Sequence, residues 1–175
     1  MEALTPPDHP YAVIMIKSPQ GRWAVIPDQN PLCVEILKLE FNDVTRDEDG
    51  QRMSEEQARQ VVQFAVRLNS EGSEHLIVQC RGGQCRSAAI AAALTQIRTG
   101  DSSFYFNHDF YRPNIDVYRK VLAAAKEEFD KYVEDEDREI LDEHFDGNRK
   151  YAAVLRERLE EKKAFFNKNI ELGRR

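Results

Sequence analysis

The chain has 175 residues, 41% of them hydrophobic and 32% charged, with a formal net charge of −6. That is one domain of ordinary size, able to build a core under a heavily charged surface, and the negative balance argues against non-specific nucleic-acid binding as the main task. No apolar run approaches the roughly 18 residues of a membrane span, the longest lying near residues 88–94. Residues 1–10 are polar and proline-rich, without the apolar stretch of a secretory signal. The three cysteines, an odd number, cannot complete a disulfide framework, which points to a reducing cytoplasm.

Strand and helix alternate along the chain. Residues 11–17 (YAVIMIK) are apolar and rich in β-branched side chains, and Pro19-Gln20-Gly21 follows as a turn signal. Residues 23–26 are a candidate hairpin partner for that strand. Residues 34–41 (VEILKLEF) alternate with period two, the pattern of a strand, and end at Asn42-Asp43. The charged stretch 45–52, with Gly50, reads as a loop. Ser54 opens a helix, because Ser-Glu-Glu-Gln is a capping box with Gln57 at the third helical position. Ala58, Val61, Val62, Ala65 and Leu68 then give one apolar face, and Gly72 closes the segment. Residues 75–79 (HLIVQ) have the length of a buried parallel strand.

Cys80-Arg81-Gly82-Gly83-Gln84-Cys85-Arg86-Ser87 then runs straight into residues 88–97 (AAIAAALTQI), a helix apolar nearly all round. A strand, a tight loop and a helix start make an anion site, since loop N–H groups and the helix dipole converge on one spot. Gly82 and Gly83 permit the backbone conformations and close approach of such a cradle. Arg86 adds a permanently charged planar fork suited to two phosphate oxygens. Cys80, at the strand's end, faces the same donors, which favour its thiolate.

C-x5-R followed by Ser, ending a strand and opening a helix, resembles the signature of the cysteine-dependent protein tyrosine phosphatases. The mid-chain position is similar to the dual-specificity branch, particularly its small bacterial and phage-type members. The likeness covers roughly residues 11–125, including Phe41-Asn42-Asp43 and Tyr111-Arg112-Pro113-Asn114. It implies that Cys80 attacks phosphorus to form a cysteinyl-phosphate. Arg86 and the loop from Arg81 through Gly82, Gly83, Gln84 and Cys85 would hold the phosphoryl oxygens, and Ser87 would stabilise the departing Cys80 thiolate. An acid must protonate the leaving oxygen and then activate water. Asp43, just past a strand and 37 residues before Cys80, is the first choice, with Asp47 and Asp49 as rivals.

Two departures from the resembled pattern stand out. Gln79 occupies the position before the nucleophile, where that family usually has histidine. Cys85 pairs with Cys80 inside the loop, similar to the low-molecular-weight phosphatases, where such a pair forms a reversible disulfide. A small buried residue under the loop is the competing reading of Cys85, and Cys33 reads as plain core.

His9, His75, His108 and His144 show no metal-ligand spacing, so neither metal nor organic cofactor is expected. His75 should lie on the surface. Pro113 looks like the first turn of a helix. Phe104, Tyr105, Phe106, Phe110 and Tyr111 form an aromatic stretch between helices, read as core or lid packing or as a wall for an aromatic phosphoester.

Charge then separates. Residues 127–146 hold eleven acids against two bases, and residues 147–175 nine bases against four acids. Ala152, Leu155, Leu159, Phe166 and Ile170 recur at roughly helical spacing, compatible with packing back on the domain or pairing with another chain.

The fold expected is α/β, a central and mostly parallel sheet flanked by helices, of the protein tyrosine phosphatase kind. It would comprise a catalytic unit over residues 1–126 and a charged helical extension over 127–175. The activity expected is phosphate monoester hydrolysis on phosphorylated protein, with phosphate, sulfate or vanadate as active-site anions and no membrane partner. Removal of RNA 5′-phosphates and phosphoprotein binding without turnover are the alternatives.

Overall fold

The computed structural model describes residues 7–23, 30–45, 50–70, 75–145 and 149–173. Among the described residues, three strands and five helices follow in the order β1 (Tyr11–Lys17), β2 (Cys33–Glu40), α1 (Glu55–Ser70), β3 (His75–Gln79), α2 (Arg86–Thr99), α3 (Ser103–Asn107), α4 (Ile115–Phe145) and α5 (Arg149–Gly173). The strands form one sheet in the order β2-β1-β3, and both pairings are parallel. Ile14 sits at the centre, in register with Leu37 on one side and Val78 on the other. The molecule is therefore α/β, with a parallel sheet flanked by helices.

Burial explains the strand compositions. Strand β1 is central and nearly continuous in apolar residues, as a parallel strand covered on both faces must be. Ala12, Ile14 and Ile16 point into the main core, where they meet residues of α1, α2, α4 and α5. Tyr11, Val13 and Met15 face the other way and are covered by Trp23, Leu32, Cys33 and Ile77. Cys33 is thus packing material, as its sequence context suggests. At the sheet edge β2 keeps its alternation, burying Leu39 and leaving Val34 and Ile36 exposed. The hairpin partner expected at residues 23–26 falls mostly outside the described residues.

The capping box forms as read. The Gln57 amide N–H donates to Ser54 Oγ at 3.1 Å, and the Ser54 amide N–H donates to Gln57 Oε1 at 2.9 Å. Gln57 Nε2 also reaches the Glu40 carbonyl at 3.0 Å, fixing the start of α1 against the end of β2. Helix α1 buries Ala58, Val61, Val62, Phe64 and Leu68, so Phe64 replaces the expected Ala65 on the core face. The bulkier ring takes the central position, and Ala65 is only half-buried.

Three boundaries differ from the sequence reading. Helix α2 begins at Arg86, two residues early, so the guanidinium belongs to its first turn. The aromatic stretch contains a helix of its own, α3. Helix α4 begins after Pro113 rather than at it. The Asn114 side chain accepts the amides of Asp116 and Val117 at 3.1 and 3.2 Å, and that cap sets the boundary.

Helix α4 continues through residue 126 to Phe145, and α5 returns along it and along α2. Ile170 joins the main core, Leu159 packs with Ile140, and Phe166 stacks on Phe129 with ring centroids 4.0 Å apart. The side chain of Ala152 lies outside those described. Gln96 Nε2 donates to the Asn169 carbonyl at 2.7 Å, and Asn169 Nδ2 donates to the Ile97 carbonyl at 3.1 Å. These bonds stitch α5 to the end of α2, where Gly100 turns with φ +79°. A Cβ there would meet Asn169 Oδ1 at 2.6 Å, so this turn needs glycine on both counts. Complementary charge across the helices adds the pair Lys163–Asp137 at 3.4 Å, which, only partly buried at the surface, stabilises by less than about 1 kcal/mol. Among the described residues no helix is long and apolar enough to cross a membrane.

Candidate active site

The end of β3, the following loop and the first turn of α2 enclose a bowl of about 400 Å³, lined by Asp43, Cys80, Arg81, Gly82, Gln84, Cys85 and Arg86. The fold thus brings together the expected nucleophile, its loop and the first-choice acid. Asp47 and Asp49 lie outside the described residues. A larger apolar groove, about 550 Å³, runs between α1, β3 and α2 and includes Leu76, Val78 and Leu94 but no cysteine or carboxylate.

The loop is shaped by a segment from far along the chain. The Arg112 amide donates to the Gln84 carbonyl at 2.9 Å, and the Asn114 amide donates to the Cys85 carbonyl at 3.3 Å. In a trans peptide the C=O and N–H point opposite ways. Tying these carbonyls outward therefore turns the N–H groups of Cys85 and Arg86 inward, off the segment. Gly83 has φ +70°, in the left-handed region where a side chain is strained. Gly82 differs from expectation: its φ is not in that region, and a Cβ there would meet nothing within 4 Å. Only Gly83 is required by backbone geometry.

Cys80 Sγ lies 3.2 Å from Ser87 Oγ. Burial pushes the Cys80 thiol up, but the Ser87 hydroxyl and the amides of Ser87, Gly83 and Gly82 outweigh it, and its pKa lies below the ordinary 9.0. Hydrogen-bond donors of the loop and of Ser87, the kind of group the sequence placed around this thiol, are the leading causes of the lowering. Gln79 Nε2 is buried with no partner among the described residues, so this atom contributes nothing to the loop's support.

Cys85 behaves in the opposite way. Its pKa is raised to about 11, first by burial, then by a hydrogen bond to Asp43 and by the negative charges of Asp43 and Cys80, with Arg86 opposing. One bowl therefore holds a thiol inclined to ionise and another that keeps its proton. All three cysteines are free.

Arg86 is 6% exposed. Its Nη1 donates to the Phe41 carbonyl at 2.7 Å and to Ser18 Oγ at 3.2 Å. Its Nε is buried without a partner among the described residues. One edge of the fork is anchored on the strand that leads to Asp43, while the Nε edge is left for an acceptor. An oxyanion in the bowl fits that need. Asp43 itself accepts from Asn114 Nδ2 at 2.8 Å. Ser18 and Asn114 escaped the sequence reading as site residues. Ser18 carried no signal; Asn114 was visible as part of a helix start in a segment that the resemblance suggests packs near the loop, as it does, but not as a partner of Asp43.

Phe110 stands beside the loop, its Cε1 3.8 Å from the position a Cβ on Gly83 would take, and is 48% exposed. It meets Tyr111 edge-on at 5.3 Å, and Tyr111 contacts Phe104, Tyr105 and His108. Phe104, Tyr105, Phe110 and Tyr111 thus form one connected cluster reaching the loop, while Phe106 meets Tyr118 edge-on instead. Arg81 is exposed and has no ion-pair partner among the described residues. His75 is exposed, as expected, and its ring lies 3.7 Å from that of His9, tilted by 47°. No group of three or more His, Cys, Asp or Glu among the described residues is arranged to hold a metal.

No protein-family model matches the chain, and no curated protein or solved structure matches it either.

Proposed function

We propose that the chain hydrolyses phosphate monoesters through a cysteinyl-phosphate, as a cysteine-dependent phosphatase of the dual-specificity-like kind that its loop resembles. What carries the reading is Arg86, a buried guanidinium with one edge anchored and Nε unpartnered, in the same bowl as a thiol held below its ordinary pKa. The Cys80 thiolate attacks phosphorus while Arg86 and the loop amides bind the equatorial oxygens, most strongly as charge spreads in the transition state. Asp43 gives its proton to the leaving oxygen, so the alcohol or phenol departs neutral. Water then attacks the phosphocysteine, Asp43 takes a proton from it, and the thiolate leaves, stabilised by Ser87, with inorganic phosphate as product.

The class of substrate that suits the surroundings is an aryl phosphate on protein. Phe110 offers a half-exposed ring beside the phosphate bowl, and Arg81 offers a free charge for acidic neighbours of the phosphorylated residue. A reducing cytoplasm suits a reactive thiol that must stay reduced.

Hydrolysis of p-nitrophenyl phosphate tests the proposal. It should survive chelator, vanish in Cys80→Ser and fall about 10²- to 10⁴-fold in Asp43→Asn, the range for a lost general acid. Binding of vanadate without turnover by the unaltered chain would make it a phosphate-recognition module instead. Full activity in Asp43→Asn would move the acid to Asp47 or Asp49.

A further inference from the structure

Asn114 is 7% exposed, and every polar atom it has is engaged. Its amide N–H donates to the Cys85 carbonyl at 3.3 Å, and its carbonyl accepts from Tyr118 N–H at 3.0 Å. Oδ1 accepts the backbone amides of Asp116 and Val117, while Nδ2 donates to Asp43 Oδ1 at 2.8 Å and to the Val44 carbonyl at 3.3 Å. One side chain therefore joins the start of α4 to the acid, and its own backbone joins both to the nucleophile loop.

The orientation of that side-chain amide is forced. Backbone N–H groups only donate, so the atom facing Asp116 and Val117 must be the oxygen. Nδ2 is then left facing Asp43, and nothing can exchange the two without losing the helix cap. A donor on Asp43 Oδ1 in turn decides where an acidic proton can sit. The Cys85 thiol also hydrogen-bonds this carboxyl group, but Oδ1 is the oxygen claimed by the Asn114 amide, which leaves Oδ2 to carry the proton.

We propose that Asn114 is the positioning residue for the acid: it fixes the Asp43 carboxyl group so that Oδ2 delivers the proton to the leaving group. This rests on the phosphatase reading above. The bond to Val44 holds the backbone just beyond Asp43, so both the carboxyl and its stem are set by one residue. A displacement of about 1 Å in a reacting group can cost on the order of 10²-fold in rate, and this contact is what opposes it.

Leaving-group dependence separates positioning of an acid from general support of the site. Phenyl phosphate expels a phenol with a pKa of about 10, like tyrosine's, which needs a proton. The 2,4-dinitrophenyl ester expels a far more acidic phenol that departs as an anion. Asn114→Ser keeps an oxygen at the cap, where Ser is nearly as good as Asn, but loses the donor that reaches Asp43. We expect kcat/KM for phenyl phosphate to fall about 10²-fold in Asn114→Ser, at least ten times more than for the dinitrophenyl ester, on the scale of a mis-set group. In an Asp43→Asn background, Asn114→Ser should add little further loss, because the two residues act as a unit. Equal losses on both esters, or full additivity with Asp43→Asn, would overturn the positioning role and leave the phosphatase reading standing. An unaltered chain that cleaves neither ester would overturn the phosphatase reading, and the role of Asn114 with it.

Discussion

Replacing Ser87 with alanine separates the two halves of the proposed reaction. The hydroxyl stabilises the Cys80 thiolate across 3.2 Å, alongside the amides of Ser87, Gly83 and Gly82, which the substitution leaves in place. The thiolate is the starting state of the first displacement and the product of the second. Losing the hydroxyl therefore leaves attack on phosphorus nearly intact and slows expulsion of sulfur from the phosphocysteine. A hydrogen bond to a charged group is worth about 1.5–3 kcal/mol. At 1.36 kcal/mol per tenfold, that is roughly a 10- to 100-fold slower breakdown. Rapid mixing with p-nitrophenyl phosphate should show a burst of one nitrophenol per Ser87→Ala molecule, followed by a slow steady state. Alkylation of Cys80 by iodoacetamide should shift to higher pH in the same variant, since a cause of its lowered pKa is gone. Burst-free kinetics with an unshifted alkylation profile would refute the reasoning.

Gly83→Ala should cost about 1–2 kcal/mol in urea unfolding, the strain of a side chain at φ +70°, because its Cβ would meet Phe110 at an ordinary 3.8 Å. Gly82→Ala should change stability by less than about 0.5 kcal/mol, and a larger loss there would contradict the open space around it. The raised pKa of Cys85 means that the folded chain holds this proton where the unfolded chain has lost it, so stability should fall as pH rises from about 9 to about 11. Urea midpoints across that window should decline less in Cys85→Ser, and an identical decline would remove Cys85 as the cause. Ile170→Ala should cost about 2–5 kcal/mol, since α5 places that side chain in the main core. A loss near zero would detach the tail from the domain.

The sequence revealed what is written locally. Ser54 and Gln57 cap each other within three residues, and the strand, loop and helix around Cys80 and Arg86 are contiguous, so their composition alone discloses them. The parallel sheet follows from apolar strands alternating with helices. The supports of the site are distant and mostly anonymous. Arg86 is held by Ser18, 68 positions away, and by a backbone carbonyl at Phe41, which any residue could supply. Asn114 reaches Asp43 across 71 positions, and in the sequence it reads as a helix entry within the likeness, with nothing to tie it to that carboxylate. The raised pKa of Cys85 was hidden for the same reason, because besides burial it depends on Asp43 coming to lie beside that thiol.

The stitching of α5 to the end of α2 also governs how this domain can be cut or assembled. Gln96 and Asn169 meet across 73 positions, so the helix that begins with Arg86 stays unsealed at its far end until residues near 170 are made. During synthesis the nucleophile loop precedes its own foundation, and closure waits on a contact of long sequence separation, the kind that slows folding. A version trimmed to residues 1–126 would lack Ile170 and would leave Gln96, Tyr118 and Leu122 without the cover of α5 near Gly173, so the charged extension is better regarded as the last wall of the core than as an appendage.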